Sequence, residues 1–266
     1  SGPEEVAREK AKLIECLPSA GFAILNSDDE TVIELKNRTR AHIMTFGFSR
    51  EAEVRITNFE NRSEKQRPIG ISFKLGYGGS FVPVKLDNIF GKAQGYATAA
   101  AAAVGLIFGL NLVRISEALK NYKPAEGRMN LLTGVKYTRV IDDSYNASPL
   151  SMHAALDTLR DLPGKRKIAV LGDMLEIGRY SIEAHEYIGR LAAEILDVLI
   201  TVGPRAKFIA EGARSKGMRR KNILSFDIAE EARVPVQSIL KKGDLVLVKG
   251  SHAIELEKVV EEIKAF

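Results

Sequence analysis

Cysteine is nearly missing from this sequence: Cys16 is the single one among 266 residues, which excludes a disulfide within the chain and fits a reducing cytoplasm. Histidine is almost as scarce, and its four scattered copies offer none of the paired spacings that hold zinc. No G-x-x-x-x-G-K-[ST] phosphate loop occurs, and no G-x-G-x-x-G fingerprint follows a strand, so neither short nucleotide motif marks a site. Long apolar runs are absent too. The longest uncharged stretch, Ala93 to Val113, approaches the roughly 20 residues of a bilayer span. It is mostly alanine, however, and carries Gln94, Thr98 and Asn111, the texture of a helix packed closely against a sheet rather than of a membrane helix.

The remaining absences concern the termini and the charge. The opening "SGPEEVAREKAK" is charged and helical, not a signal sequence, and Ser1 is expected to begin partway through a longer protein. The net charge is +5, densest in "SKGMRRKN" from Ser215 to Asn222. That run lacks the interleaved aromatics that stack on single-stranded nucleic acid, so it reads as a solvated loop with no nucleic-acid partner. An anionic small substrate accounts for the charge equally well.

What is present is a chain long enough, at 45% hydrophobic residues, for two domains with cores of their own. From Arg128 onward, apolar runs at "YTRVIDD", "RKIAVLGD", "DVLITVG", "NILSF" and "DLVLVKGS" alternate with helical segments that begin near Pro149, Tyr180, Pro204, Asp227 and Ala253. Five such units predict an α/β fold with a Rossmann-like, doubly wound, mostly parallel sheet. The first half differs. A helix over Glu4 to Cys16 precedes the strands "FAILN" and "AHIMTFGFS", and "ISFKLGYGGSFVPVKL" reads as a hairpin about Gly76 to Gly79. The alanine-rich helix and "LVRISEALKNYK" follow. "KPAEGRMN" then breaks the pattern, which divides the chain into a first domain over 1–125 and a second over 126–266.

In open parallel sheets, ligands bind beyond the carboxyl ends of the strands. Those ends collect Asp142 and Asp143, Gly172 and Asp173, Gly203, and Lys249, Gly250 and Ser251. Asp173 can as well cap a helix as meet a substrate. The Asp142–Asp143 pair is more pointed, since two neighbouring carboxylates need a cation or hydrogen-bond donors beside them. The residues alone stop at an enzyme domain with an anionic ligand.

"DDSYNASPLSMHAALDTLRDLPGKRKIAVLGDMLEIG", a following histidine, "ITVG" and "LVKGSHAIELEKVV" resemble the carboxy-terminal domain of MurF-type Mur ligases. "EEVAREKAKLIECLPSAGFAILNSDD", "TFGFS" and the hairpin resemble the later part of the central ATPase domain of that family. The resemblance implies a cytoplasmic, monomeric, ATP- and Mg2+-dependent ligase of peptidoglycan precursor synthesis that joins D-alanyl-D-alanine to a UDP-N-acetylmuramoyl-tripeptide. The tripeptide carboxylate attacks the γ-phosphate to give an acyl phosphate, and the dipeptide amine then displaces phosphate. Carried over by position, Arg128 reaches the ATP phosphates, Asp143 with Asp142 the ribose side, and Asn146 the γ-phosphate region. Asp173, Lys249 and Ser251 fall to the substrates. Lys10 of "REKAKL" matches the lysine that the family carbamylates to bind magnesium. Where the family has His-Asn-x-x-Asn, this chain has "AQGYA", with Gln94 and Ala97 at the asparagine positions, which leaves Gln94 as the adenine candidate. The family's phosphate loop and magnesium-binding histidine are expected upstream of Ser1, so these residues alone are expected to be inactive. The competing readings are a cyanophycin-synthetase-like or folylpolyglutamate-synthase-like amide ligase, and a non-catalytic binding module.

Overall fold

The computed structural model describes residues 3–265, and the chain separates into two compact units. The first comprises residues 1–62, 70–87 and 92–123. The second comprises 63–69, 88–91 and 124–266. Two short pieces of the first half therefore group with the second unit; Leu131 donates its N–H to the Asn88 carbonyl at 2.8 Å, for example.

The first unit opens with α1 (Pro3–Glu15) and continues through β1 (Phe22–Asn26), the single turn α2 (Glu30–Ile33), β2 (His42–Gly47), β3 (Val54–Glu64), β4 (Arg67–Tyr77), β5 (Ser80–Asp87), α3 (Lys92–Ile107) and α4 (Leu112–Leu119). The strands form one sheet in chain order, with β1, β2 and β3 parallel and β4 antiparallel to β5. The hairpin turn is narrower than its glycine run suggests. Tyr77 pairs with Ser80, so only Gly78 and Gly79 form the turn, both at positive φ, as a two-residue hairpin connection requires. Strand β3 escapes a reading by alternation because its distal half, "FENRSE", is polar and half-exposed. In α3 the small residues Gly95, Ala99, Ala102 and Ala103 are buried. At 16 residues this helix is too short to cross a membrane, and no helix among the described residues is long and apolar enough to do so.

The second unit contains β6 (Asn130–Gly134), β7 (Thr138–Asp143), α5 (Pro149–Asp161), β8 (Lys167–Gly172), α6 (Ser181–Ile195), β9 (Val198–Val202), α7 (Lys207–Ser215), β10 (Ile223–Phe226), α8 (Ala229–Ile239), β11 (Leu245–Lys249) and α9 (Glu257–Ile263). The sheet order is β10-β9-β8-β11-β7-β6, parallel throughout except for β6, which runs antiparallel to β7. The five expected β-α units are present. Helices α7, α8 and α9 begin a few residues later than their Pro204, Asp227 and Ala253 signals, because turns intervene. The extra strand β6 is five residues long and too short to show a period.

Strand β11, the last in sequence, slots between β8 and β7, so the connection through α5 passes over a place that is filled only later. Val140, Ile168, Val170, Ile200, Val202, Val246 and Val248 form one core with Ala232, Val236, Val259 and Val260 of α8 and α9. The alternate residues Ile141, Ala169, Leu171, Leu199 and Leu247 are also fully buried. Burial on both faces is the condition under which parallel strands read as continuous apolar runs. The same register aligns the strand ends: Lys249 stands opposite Asp143 on one side and Leu171 on the other.

Candidate functional site

The carboxyl rim of the second sheet is assembled by β11. Lys249, 3% exposed, donates its ammonium to Asp143 Oδ2 at 2.6 Å and to the Asn146 carbonyl at 2.9 Å. The other Asp143 oxygen accepts the Met129 N–H at 3.1 Å. Asp142 is served locally, its Oδ1 accepting from the Ser144 N–H at 3.1 Å and from the Ser144 hydroxyl at 2.7 Å. The cation and donors that a carboxylate pair at a strand end demands are thus Lys249 and Ser144. Burial pushes the Asp143 carboxyl above its ordinary range, against the pull of Lys249, the Met129 N–H and Arg128. Beyond this pair, Ser148 caps α5 and exchanges hydrogen bonds with Ser151, with Pro149 at the first helical positions. The polar knot after β7 is a helix start fixed to a buried ion pair.

Ser251 extends the same function to the neighbouring loop. Its hydroxyl accepts the Leu175 N–H at 2.9 Å and lies 3.5 Å from the Ala147 carbonyl, while its own N–H donates to the Asp173 carbonyl at 2.9 Å. Asp173 Oδ1 accepts the N–H groups of Arg205 at 3.0 Å and Ala206 at 2.6 Å, just ahead of α7, so the capping alternative describes its geometry. A side chain at Gly203 would meet that carboxylate, its Cβ 2.3 Å from Asp173 Oδ1, and φ there is +114°; only glycine suits both conditions. Asp173, Lys249 and Ser251, expected to meet substrate, are buried; Asp173 holds the segment ahead of α7, while Lys249 and Ser251 hold the loops after β7 and β8 in place. The reason is topological: β11 lies between those two strands, so its side chains beyond the sheet reach both loops.

His185, fully buried, supports the β8 loop from beneath. Its Nε2 accepts the Met174 N–H at 2.9 Å, and its Nδ1 lies 2.6 Å from the Ser181 carbonyl, which fixes a neutral ring protonated at Nδ1. Burial pushes the imidazole below its usual range, while the Ser181 carbonyl and Asp173 pull it back up. A folded-state value below the unfolded one means that the unfolded chain takes up the proton first. This contribution to stability is therefore present above the ordinary histidine value of about 6.5 and lost as pH falls through it. Asp173, raised by burial, acts with the opposite slope, nearer the carboxylate range. Below about pH 6.5, until the folded imidazole is itself protonated, the unfolding free energy should fall by up to about 1.4 kcal/mol per pH unit, and His185→Gln should remove that slope. Identical slopes for the two proteins in urea melts would refute this reading of the ring.

Arg128 and Tyr145 complete the rim. Gly127, at φ +68°, accepts the Tyr145 N–H at 3.2 Å, and a Cβ on Gly127 would lie 2.9 Å from that nitrogen. The Arg128 guanidinium stands over the Tyr145 ring, 4.2 Å from its centroid, and the ring also stacks with His252 at 5.5 Å. Asn146, exposed, turns its side-chain oxygen to the Ala147 N–H at 2.8 Å. Arg128, Asp143, Asn146 and Lys249 are therefore brought together. Tyr145, His185 and His252 stood in the quoted motifs without being singled out as site residues; the signal for Tyr145 was an aromatic residue set among the small polar ones of "DDSYNASP".

Lys10 and Gln94 belong to the first unit. Lys10 lies on the exposed side of α1, while Lys12 pairs with Glu9 at 2.7 Å. Gln94, in the first turn of α3, is 6% exposed, and its Oε1 accepts the Tyr122 hydroxyl at 2.9 Å. The amide oxygen that would read an adenine is thus already engaged within the protein. Asp28 braces the same turn, accepting the Tyr96 hydroxyl at 2.8 Å and the N–H groups of Phe48 and Ser49 at 2.6 and 2.8 Å. Among the described residues no three His, Cys, Asp or Glu side chains converge as a metal-ion set.

Comparison with known proteins places these features in a family context. Residues 1–105 match the family model described as Mur ligase middle domain, and residues 127–252 match the one described as Mur ligase, glutamate ligase domain. The Bacillus subtilis UDP-N-acetylmuramoyl-tripeptide–D-alanyl-D-alanine ligase is 28% identical over 262 residues, which cover 98% of this chain and 55% of that protein. The crystal structure of MurF from Acinetobacter baumannii superposes with a TM-score of 0.82 at 27% identity, covering 98% of this chain and 55% of the other. The MurF ligase of Thermotoga maritima in complex with ADP gives 0.80 at 25% identity, covering 97% and 56%. The chain spans about half the length of the relatives it matches.

Proposed function

Because the chain belongs to the Mur ligase family, carrying its middle and glutamate ligase domains, we propose that it is the nucleotide-binding and amide-forming part of a MurF-type ligase. The reaction is ATP-dependent joining of D-alanyl-D-alanine to a UDP-N-acetylmuramoyl-tripeptide, carried out in the cytoplasm by a monomer. One observation carries this reading: similarity to a ligase of that name runs over 98% of the chain, across both of its domains. The ADP complex of the Thermotoga maritima ligase supports ATP as the phosphoryl donor.

The chemistry asks the protein for charge complementarity where the γ-phosphoryl group moves from ATP to the tripeptide carboxylate, and again where phosphate leaves the acyl carbon as the dipeptide nitrogen bonds to it. Arg128 supplies a guanidinium for phosphate oxygens and Asn146 an amide nearby. Asp143 accepts a ribose hydroxyl through lone pairs not taken by Lys249 and Met129. Lys249, Ser251 and Asp173 keep these groups at fixed spacing. Lys10 is assigned as a carbamylated lysine, formed when its neutral amine adds carbon dioxide and gives up a proton to solvent, which leaves the carbamate an anion.

The test is phosphate release by a full-length ligase carrying this chain, with the UDP-linked tripeptide and D-alanyl-D-alanine both required. Omitting either substrate should abolish turnover. Release that needs a different acceptor, such as glutamate, would overturn the reading. In the same assay Lys10→Ala should remove most activity, partly restored by short carboxylic acids, while Lys12→Ala should leave it nearly intact, because residues two apart on a helix do not share a face. The reverse pattern would move the carbamate assignment to Lys12.

A further inference from the structure

We propose that Tyr145 is the positioning residue for Arg128, its ring holding the guanidinium at the rim in the pose that meets an anionic oxygen cluster. The proposal rests on the reading of Arg128 as a phosphate contact and adds what aims it. An exposed arginine on a loop samples many rotamers, and ordering it on ligand binding costs free energy. Here the ordering is built in. The backbone on either side of Arg128 is tied to the segment that carries Tyr145, through the Tyr145 N–H to the Gly127 carbonyl at 3.2 Å and the Met129 N–H to Asp143 Oδ1 at 3.1 Å. Gly127 and Met129 both take positive φ, +68° and +55°, a left-handed bracket that a non-glycine residue such as Met129 adopts only when its surroundings enforce it. Between those ties the guanidinium lies 4.2 Å from the Tyr145 ring centroid. The ring is itself steadied by its stack with His252, at 28° between planes.

Tyr145 holds Arg128 with its π face, so Phe should substitute for it and Leu should not. The phenol oxygen has no part in this, which separates the role from direct hydrogen bonding to a ligand by Tyr145.

The experiment uses the whole 266-residue chain, isotopically labelled. NMR reads the Arg128 side-chain N–H and methylene resonances while inorganic tripolyphosphate is titrated. In the wild-type chain and in Tyr145→Phe those resonances should be displaced upfield by the ring current; in Tyr145→Leu they should return to random-coil positions while the amide resonances of the sheet stay in place. Tripolyphosphate should bind about two- to fivefold more weakly to Tyr145→Leu, and adding that change to Arg128→Ala should have no further effect, since Tyr145 acts through Arg128. Unshifted Arg128 resonances in the wild-type chain, or a Tyr145→Leu penalty that persists in the Arg128→Ala background, would overturn the positioning role. If the ring-current shift is present but tripolyphosphate does not perturb Arg128, the phosphate reading fails while the contact stands. If Tyr145→Leu unfolds the chain, Tyr145→Phe against Tyr145→His decides, since a ring that is cationic in acid should release Arg128 as pH falls and Phe should not.

Discussion

Lys249→Met should destabilise the second unit by about 3–5 kcal/mol, the usual cost of leaving one half of a buried ion pair uncompensated. The substitution keeps the length and apolar stem of the side chain, so what it removes is the ammonium. Asp143 then keeps only the Met129 N–H and the more distant charge of Arg128, and the Asn146 carbonyl loses the donor that held it at 2.9 Å. Since burial already raises the Asp143 carboxyl, losing the cation should raise it further, and the penalty should shrink in acid as that carboxyl is neutralised. Asp143→Asn added to Lys249→Met should recover much of the loss, because no charge remains to be buried. Urea unfolding followed by tyrosine fluorescence and circular dichroism reads all three proteins. A Lys249→Met cost under about 1 kcal/mol, or a double mutant as unstable as the sum of its parts, would mean that the pair is not what holds the loop.

Arg128→Ala should lower turnover of a full-length ligase carrying this chain by more than about tenfold, within the range seen when a donor to developing transition-state charge is removed. Arg128→Lys should fall between the two, because an ammonium keeps the charge but loses both the planar fork for phosphate oxygens and the flat stacking surface that lies over Tyr145. The effect should appear in kcat rather than in KM for D-alanyl-D-alanine, since the residue is assigned to the phosphoryl group and not to the dipeptide. Unchanged turnover in Arg128→Ala with the fold intact would remove Arg128 from the chemistry.

The fold of the second unit is largely readable from its residues. Runs such as "IAVLG" and "LVLVK" are buried along their whole length, and each is followed by helix-start signals; only parallel strands covered on both faces need such a pattern. Strands β3 and β6 were not readable. Asn58, at φ 52°, and the polar distal half of β3 blur its alternation, while β6 is held by pairing with β7 more than by any preference of "NLLTG". The hairpin was visible and its turn was placed too broadly, because a glycine run marks where a turn is allowed, whereas the pairing of Tyr77 with Ser80 decides which residues form it.

At the site, the sequence by itself determined which chemical groups reach the rim. A strand that ends in Asp142 and Asp143, and another that ends in Lys249, must deliver those side chains beyond the carboxyl edge of a parallel sheet, since the pleat and the chain direction leave no other place for them. Tertiary structure alone decided what the groups do there. Lys249 lies 106 residues from Asp143 in sequence, and nothing local says that β11 inserts between β7 and β8; once it does, register sets the ammonium against one carboxylate and the Ser251 hydroxyl against the loop of the other strand. The same holds for Asp173, whose carboxylate serves the N–H groups of Arg205 and Ala206, because they lie just ahead of a helix reached only after another strand. A hydrogen bond or an ion pair is a statement about a distance of about 3 Å, and between residues so far apart in the chain only the packing of the sheet brings that distance about.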